Sequence, residues 1–261
     1  MPIHCPISFP RLETDEFAQL DFKVMEQAFA SQRALGRLAD EKVFQADFAA
    51  RLDAAGWAVQ TEVPVTVSFR TFSKVYYLDL VVAAQAIYEL KTVARLTSDH
   101  AAQLMNYLLM LDCSRGKLVN FRPYSVVSRF INTPLTSAQR HDFRVNSRDW
   151  HADGILRDWI VEMVRDWGTA LELPLYHQAI VHLLGGDAIV TKQLPMARND
   201  LALGNQRFHL LDSHHAFRLT AFNDSAPNYA NDIKRLLNHS SLKAIHWINI
   251  AQQQVTFTTI R

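Results

Sequence analysis

YLDLVVAAQAIYELK, Tyr77 to Lys91, decides how the first half of this 261-residue chain folds. Tyr76–Val82 and Ala86–Thr92 are apolar runs rich in valine, isoleucine and tyrosine, and Ala83-Ala84-Gln85 separates them. The spacing predicts two antiparallel strands joined by a tight turn centred on Ala84. Asp79 then lies opposite Glu89, and Val81 opposite Ile87. Lys91, two residues beyond Glu89, points to the same face. Asp79, Glu89 and Lys91 therefore converge. Charges set among apolar strand residues need a partner or a task.

Outward from this hairpin, the pattern is mixed. Glu16–Phe29 carries Phe17, Leu20, Val24 and Phe29 near helical spacing. Leu38–Ala55 is a second predicted helix, with Val43, Phe44, Phe48 and Leu52 as its apolar stripe and Gly56 as its stop. Trp57–Phe69 alternates and is rich in valine and threonine, as a strand does. After the hairpin, Thr97-Ser98-Asp99 starts a helix running to about Asp112, and Lys117–Phe121 is a further strand. Helix, helix, three strands, helix, strand describes an α/β domain over residues 1–131. Residues 132–152 are polar and broken by Pro134, which predicts a linker. An amphipathic helix from Asp153 to Trp167 opens a second α/β half, 153–261.

Composition narrows the function classes. The net charge is +1, so the chain as a whole does not advertise nucleic acid, and any such binding must come from a local groove. Arg70, Lys74, Arg95, Arg115, Lys117 and Arg122 are candidates for backbone contact. Two cysteines, Cys5 and Cys113, imply no disulfide framework. No apolar stretch reaches membrane-span length, and the N-terminus lacks signal-peptide features, so the expected location is cytoplasmic. G-x-G-x-x-G, P-loop and G-x-S-x-G motifs are missing. The histidines of the second half, among them His177, His209, His214 and His215, follow no standard zinc spacing.

The chemistry of the hairpin face is specific. Two carboxylates ~4.5–5.5 Å apart across a strand pair repel one another. A divalent cation removes the conflict, and oxygen ligands suit Mg2+ or Mn2+. The lysine orients or deprotonates the water that attacks a phosphate. On the following helix, His100, Gln103 and Tyr107 fall on one face. There a glutamine bonds water or phosphate, and a tyrosine one turn on supports it.

The stretch from about Leu35 to Pro123 resembles the GxxExxY proteins, a branch of the PD-(D/E)XK nuclease superfamily. ADEKVF, TEVPV, YLDLVV, YELKTV, LTSDHAAQLMNYL and KLVNF carry the resemblance. It implies a restriction-endonuclease-like mixed sheet flanked by helices. It also implies a metal site of Asp79, Glu89 and the helix glutamate Glu41, with Lys91 completing the E-x-K. Gln103 and Tyr107 match the Q-x-x-x-Y motif. Leu38 replaces the glycine that names the family and Phe44 its tyrosine, while Gly36 sits two residues earlier. The implied activity is Mg2+-dependent hydrolysis of DNA, with RNA left open. The competing expectation is a nucleic-acid-binding or assembly protein that keeps the fold with little or no activity.

The second half reads as a degenerate second copy, so the chain is expected to be an internal pseudo-dimer, monomeric or itself paired. Slid by 129 positions, YLDLVVAAQAIYELK lies over QRFHLLDSHHAFRLT, and KLVNF over HWINI. At an offset of 131, Glu41 meets Glu172. The apolar pattern survives the comparison. The chemistry does not: Asp79 meets Phe208, Glu89 meets Arg218, Lys91 meets Thr220 and Gln103 meets Asp232.

Overall fold

A computed structural model describes residues 2–152, 154–199, 201–223 and 227–261. The chain forms two compact units, 1–68 with 74–137, and 69–73 with 138–261. Asp153, where a helix was expected to begin, lies outside the described residues.

The first unit contains β1 (Ile3–His4), α1 (Thr14–Leu35), α2 (Glu41–Ala54), β2 (Val59–Phe69), β3 (Phe72–Val82), β4 (Ala86–Lys91), α3 (Ser98–Met110), β5 (Arg115–Asn120) and β6 (Val127–Asn132). Its strands form one sheet in the order β1-β2-β3-β4-β5-β6. β4 pairs antiparallel with β3 and parallel with β5, and α3 makes the crossover. Glu13 and Glu16 close a capping box at the start of α1. The buried Phe17, Leu20, Val24 and Ala28 of α1 join Phe44, Phe48 and Leu52 of α2. Together they cover Leu80, Val82, Tyr88, Leu90, Val119 and Phe121 on the sheet. Val43, expected in the α2 stripe, is instead 48% exposed, because the helix turns Phe44, Phe48 and Leu52 inward.

The β3–β4 turn has Ala83 at φ 55° and Ala84 at φ 52°. That is the left-handed central pair of a type I′ turn over Val82–Gln85, usually supplied by Asn-Gly. Gln85 N–H donates to Val82 O at 3.0 Å and Ala83 N–H to Ala58 O at 2.7 Å, which holds the two alanines there. Val81 pairs with Ile87, so the register is the one that the turn centre predicts.

Residues 132–152, read from sequence as a linker, contain α4 (Ser137–His141) and β7 (Arg144–Asp149). β7 is an edge strand pairing parallel with a C-terminal strand, and its polar, exposed side chains hid it from an alternation test. The second unit continues with α5 (Gly154–Trp167), α6 (Leu173–Leu183), α7 (Asp187–Val190), β8 (Thr191–Arg198), β9 (Leu201–Leu210), β10 (His215–Thr220), α8 (Pro227–Leu237), β11 (Ala244–Ile250) and β12 (Gln254–Ile260). Its sheet runs β7-β12-β11-β10-β9-β8. β10 pairs antiparallel with β9 and parallel with β11, with α8 as the crossover.

The pairing registers of β3-β4-β5-β6 and β9-β10-β11-β12 correspond, whereas the first strand differs, β1 pairing antiparallel with β2 and β7 parallel with β12. Leu80 pairs with Tyr88, and 129 residues on His209 pairs with Phe217. Tyr88 pairs with Lys117, as Phe217 does with His246. Lys117 pairs with Phe130, as His246 does with Thr259. A side-chain clamp repeats too. The Asn120 amide exchanges two hydrogen bonds with the Val93 backbone (2.7 and 3.1 Å), and the Asn249 amide does so with Phe222 (2.9 and 2.8 Å).

Among the described residues, no helix is long and apolar enough to cross a membrane.

Candidate active site

The alternation of β3 and β4 separates the two sheet faces. Leu80, Val82, Tyr88 and Leu90 go to the core under α1 and α2, and Asp79, Glu89 and Lys91 go to the other face. There Lys91 Nζ donates to Glu89 Oε1 at 2.6 Å and lies 3.8 Å from Asp79 Oδ2. Asp79 Oδ2 also accepts the Leu90 backbone N–H at 2.8 Å. The Glu89 side chain is 1% exposed, and its second oxygen, Oε2, is buried without a hydrogen-bond partner.

Burial and crowding set the charges. Burial, and then the Asp79 carboxylate, push the Glu89 carboxyl well above the usual range. Burial also raises Asp79, against the opposing pull of the Leu90 N–H and Lys91. Burial alone would lower Lys91, but the carboxylates of Glu89, Asp79 and Glu41 outweigh it and hold the ammonium form. Glu41, the first residue of α2, is raised by burial and by Asp79, with Lys91 opposing. It therefore feels the same cluster from a second element.

Gln103 and Tyr107 lie one turn apart on α3. Gln103 Nε2 donates to Tyr107 Oη at 3.0 Å, and the Tyr107 ring meets Tyr76 edge-on at 5.9 Å. The described hydrogen bond of Gln103 thus ends at Tyr107 and not at the carboxylates. His100, expected on the same face, instead closes the α3 cap: its Nδ1 accepts the Thr97 N–H at 3.0 Å.

Three further residues belong to the cluster. Gln45, one turn along α2 from Glu41, donates to the Asp79 backbone oxygen at 2.7 Å and to Glu62 at 2.8 Å. Lys42 pairs with Glu62 at 2.5 Å. Glu62 is in left-handed backbone (φ 52°), and its charge adds to that felt by Asp79. The sequence signal was Lys42-x-x-Gln45 at the start of a helix that also carries Glu41, a spacing that puts both on one side.

The basic residues sort unequally. Lys117 is buried and ion-paired to Asp21 of α1, beneath the Phe130 ring, so it cannot reach a backbone phosphate. A lysine in that setting needs its carboxylate partner to be tolerated. Arg70 pairs with Glu162 at 2.6 Å, and Arg122 donates to the Thr92 oxygen at 3.2 Å. Arg95 is exposed.

Among the described residues, no group of three or more His, Cys, Asp or Glu side chains is gathered closely enough to hold a metal ion. The expected three-carboxylate set of Glu41, Asp79 and Glu89 is therefore not assembled. Asp79 and Glu89 share one face, with the Lys91 ammonium between them, and Glu41 bonds the Thr92 backbone next to Lys91. The donor chemistry still fits a hard divalent cation, since two carboxylates converge and one buried oxygen, Glu89 Oε2, has no partner in the protein.

Comparison with known proteins bears on this segment. Residues 18–131 match the family model of the PD-(D/E)XK nuclease superfamily. The superfamily-like segment covers less than half of the chain and includes Glu41, Asp79, Glu89, Lys91, Gln103 and Tyr107. Nucleases of this superfamily generally use divalent metal ions and act on nucleic acid. No curated protein matches the chain. The crystal structure of SSO0001 is 21% identical over 46% of this chain, with a TM-score of 0.30. The chain covers 63% of that structure's length.

Proposed function

We propose that the first unit is a metal-dependent nuclease of the GxxExxY branch that hydrolyses DNA phosphodiesters, with Mg2+ or Mn2+ as its cation. The observation that carries this reading is the convergence of Asp79, Glu89 and Lys91 on one sheet face, with Glu89 Oε2 buried and unpartnered. Asp79 and Glu89 would hold the cation, with Glu41 reaching it directly or through water. A bound cation supplies Lewis acidity and offsets phosphate charge. Lys91 orients the attacking water and stabilises charge that develops on the phosphate. Gln103, braced by Tyr107, positions the water or a phosphate oxygen. Gln45, Lys42 and Glu62 hold the Asp79 strand against α2.

The second unit is in this reading a degenerate copy of the first, making the chain a cytoplasmic pseudo-dimer with one live site. Its support is the shared order of five strands, β2 to β6 and β8 to β12, their pairing registers and the repeated asparagine clamp, while the sixth strand sits on opposite edges, β1 beside β2 and β7 beside β12. Where the first unit carries Asp79, Glu89 and Lys91, the second carries Phe208, Arg218 and Thr220.

One observation favours a less active protein: the Lys91–Glu89 ion pair already neutralises one carboxylate. A single assay decides between the readings. Linear, circular and single-stranded DNA are incubated with the protein in magnesium, manganese or EDTA, beside Lys91→Ala. Cleavage that needs the cation and is lost in Lys91→Ala supports the nuclease. Binding without cleavage supports the assembly protein, and an RNA arm settles substrate preference.

A further inference from the structure

We propose that a cavity in the second unit, between α6, β9 and β10, binds a phosphate group of a nucleic-acid strand. The carrier, a nucleic acid, rests on the nuclease reading; the phosphate chemistry does not. The cavity measures about 430 Å³ and is lined by His177, Gln206, Arg207, His209, Phe217 and Arg218, with Phe208. It lies where the described β9–β10 pairing, Leu210↔Ala216 and His209↔Phe217, ends, while β9 continues to pair with β8 and β10 with β11.

The donors are arranged for an anion. The His177 and His209 rings meet at 4.2 Å between centroids, inclined at 66°, and both approach Phe217. Thr191 Oγ1 is 2.6 Å from Asp187 Oδ1 and 2.9 Å from His209 Nδ1. A hydroxyl has one proton and the carboxylate can only accept, so Thr191 donates to Asp187 and accepts from His209 Nδ1–H. In the neutral ring this leaves His209 Nε2 as an acceptor, and it becomes a donor to an anion on protonation of the ring. His177 Nε2 is buried and has no hydrogen-bond partner. Arg207 and Arg218 supply two exposed guanidiniums. The one nearby carboxylate, Asp187, is engaged by Thr191 and at 3.4 Å by Arg207. The two guanidiniums that border the cavity disfavour a cation. An apolar ligand would leave the imidazole nitrogens unpaired. Phosphate offers enough acceptor oxygens for all four groups.

The protonation state gives a second readout. Burial first, then His177 and Arg207 with Arg218, press His209 down to about 4, with Asp187 opposing. A bound anion offsets that repulsion, so the His209 titration moves upward when phosphate is present.

The test is NMR of the histidine ring resonances in the full chain, with EDTA present so that the carboxylate site plays no part. The probes are inorganic phosphate, acetate, and a short oligothymidylate with and without a 5′-phosphate. His177 and His209 resonances should move saturably with phosphate or oligothymidylate, while those of His4 and His151 stay in place. Arg207→Gln and Arg218→Gln should each raise Kd by at least about tenfold, as expected for losing a charge-assisted hydrogen bond. A response to either oligothymidylate assigns an internal phosphodiester, and a response confined to the 5′-phosphorylated one assigns a terminal phosphate. Resonances that stay fixed with every phosphate probe, that move equally with acetate, or that respond unchanged in the double variant overturn the proposal. A protein that passes here and fails to cleave DNA leaves this site standing and refutes the nuclease reading alone.

Discussion

Glu89→Gln separates a strained ligand from a structural ion-pair partner. The substitution keeps the shape of the side chain and removes its charge. In the metal-free protein, Glu89 is 1% exposed, and one of its oxygens has no partner. Leaving a buried polar atom unsatisfied costs about 1–3 kcal/mol, more when it is charged. Asp79 on the facing strand adds repulsion, and Lys91, 2.6 Å away, offsets part of it. In Glu89→Gln, the lysine retains Asp79 at 3.8 Å as its counterion. The repulsion disappears, and the amide can donate as well as accept. In EDTA the variant should therefore be more stable than the parent by about 1–3 kcal/mol. The order reverses with cation. At a concentration 100 times Kd, a bound ion stabilises the parent by about 2.7 kcal/mol, and the variant gains little. The assay is urea unfolding of both proteins in EDTA and in a manganese series. If Glu89→Gln is the less stable protein in EDTA, Glu89 is a structural partner for Lys91, and the strained-ligand argument fails. If both proteins gain equally from manganese, the cation binds elsewhere.

Lys91→Ala should reduce DNA cleavage by about 10²–10³ while manganese binding persists, the loss typical of one positioned charge; cleavage at the parental rate would exclude Lys91 from the chemistry. Asn120→Leu and Asn249→Leu should each destabilise the protein by about 1–3 kcal/mol, since each strands a backbone N–H and C=O. Urea melts showing one substitution neutral would mean that the two amides are not equivalent clamps. His246 is 3% exposed, and burial first, then His215, press it down to about 4. Its folded value lies below the unfolded one of ~6.5, so the unfolded chain binds the extra proton between those values. Stability should accordingly fall, on the order of 2–3 kcal/mol, as pH drops from about 6.5 to 4. His246→Gln should flatten that slope in urea melts taken across the window, and an unchanged slope would point to other groups.

The hairpin over Tyr76–Thr92 could be read without coordinates because its information is local, though its first strand begins earlier, at Phe72. Strand side chains alternate with period two, and a tight turn sets which residues face each other, so Val81↔Ile87 follows from where the turn sits. Asp79, Glu89 and Lys91 share a face for the same reason. The apolar stripes of α1, α2 and α5 were legible for the most part, since helical spacing is written in consecutive residues, but Phe29 and Val43, counted in them, are exposed. β6 and β7 were not. VSRFIN and RVNSRD are largely exposed edge strands, and what makes them strands is the neighbour each pairs with. Lys117 read as a surface base, and only packing shows it turned inward to Asp21, 96 residues away. Gln103 had helical spacing in its favour, but whether it meets the carboxylates depends on how α3 lies on the sheet, and there it bonds Tyr107. The approach of His177 to His209 joins residues on α6 and β9 that no motif relates. Local periodicity determined the strand faces and the site they carry. Long-range packing decided which charges are buried, which are paired, and which atoms are left without a partner, because burial and pairing depend on elements far apart in the chain.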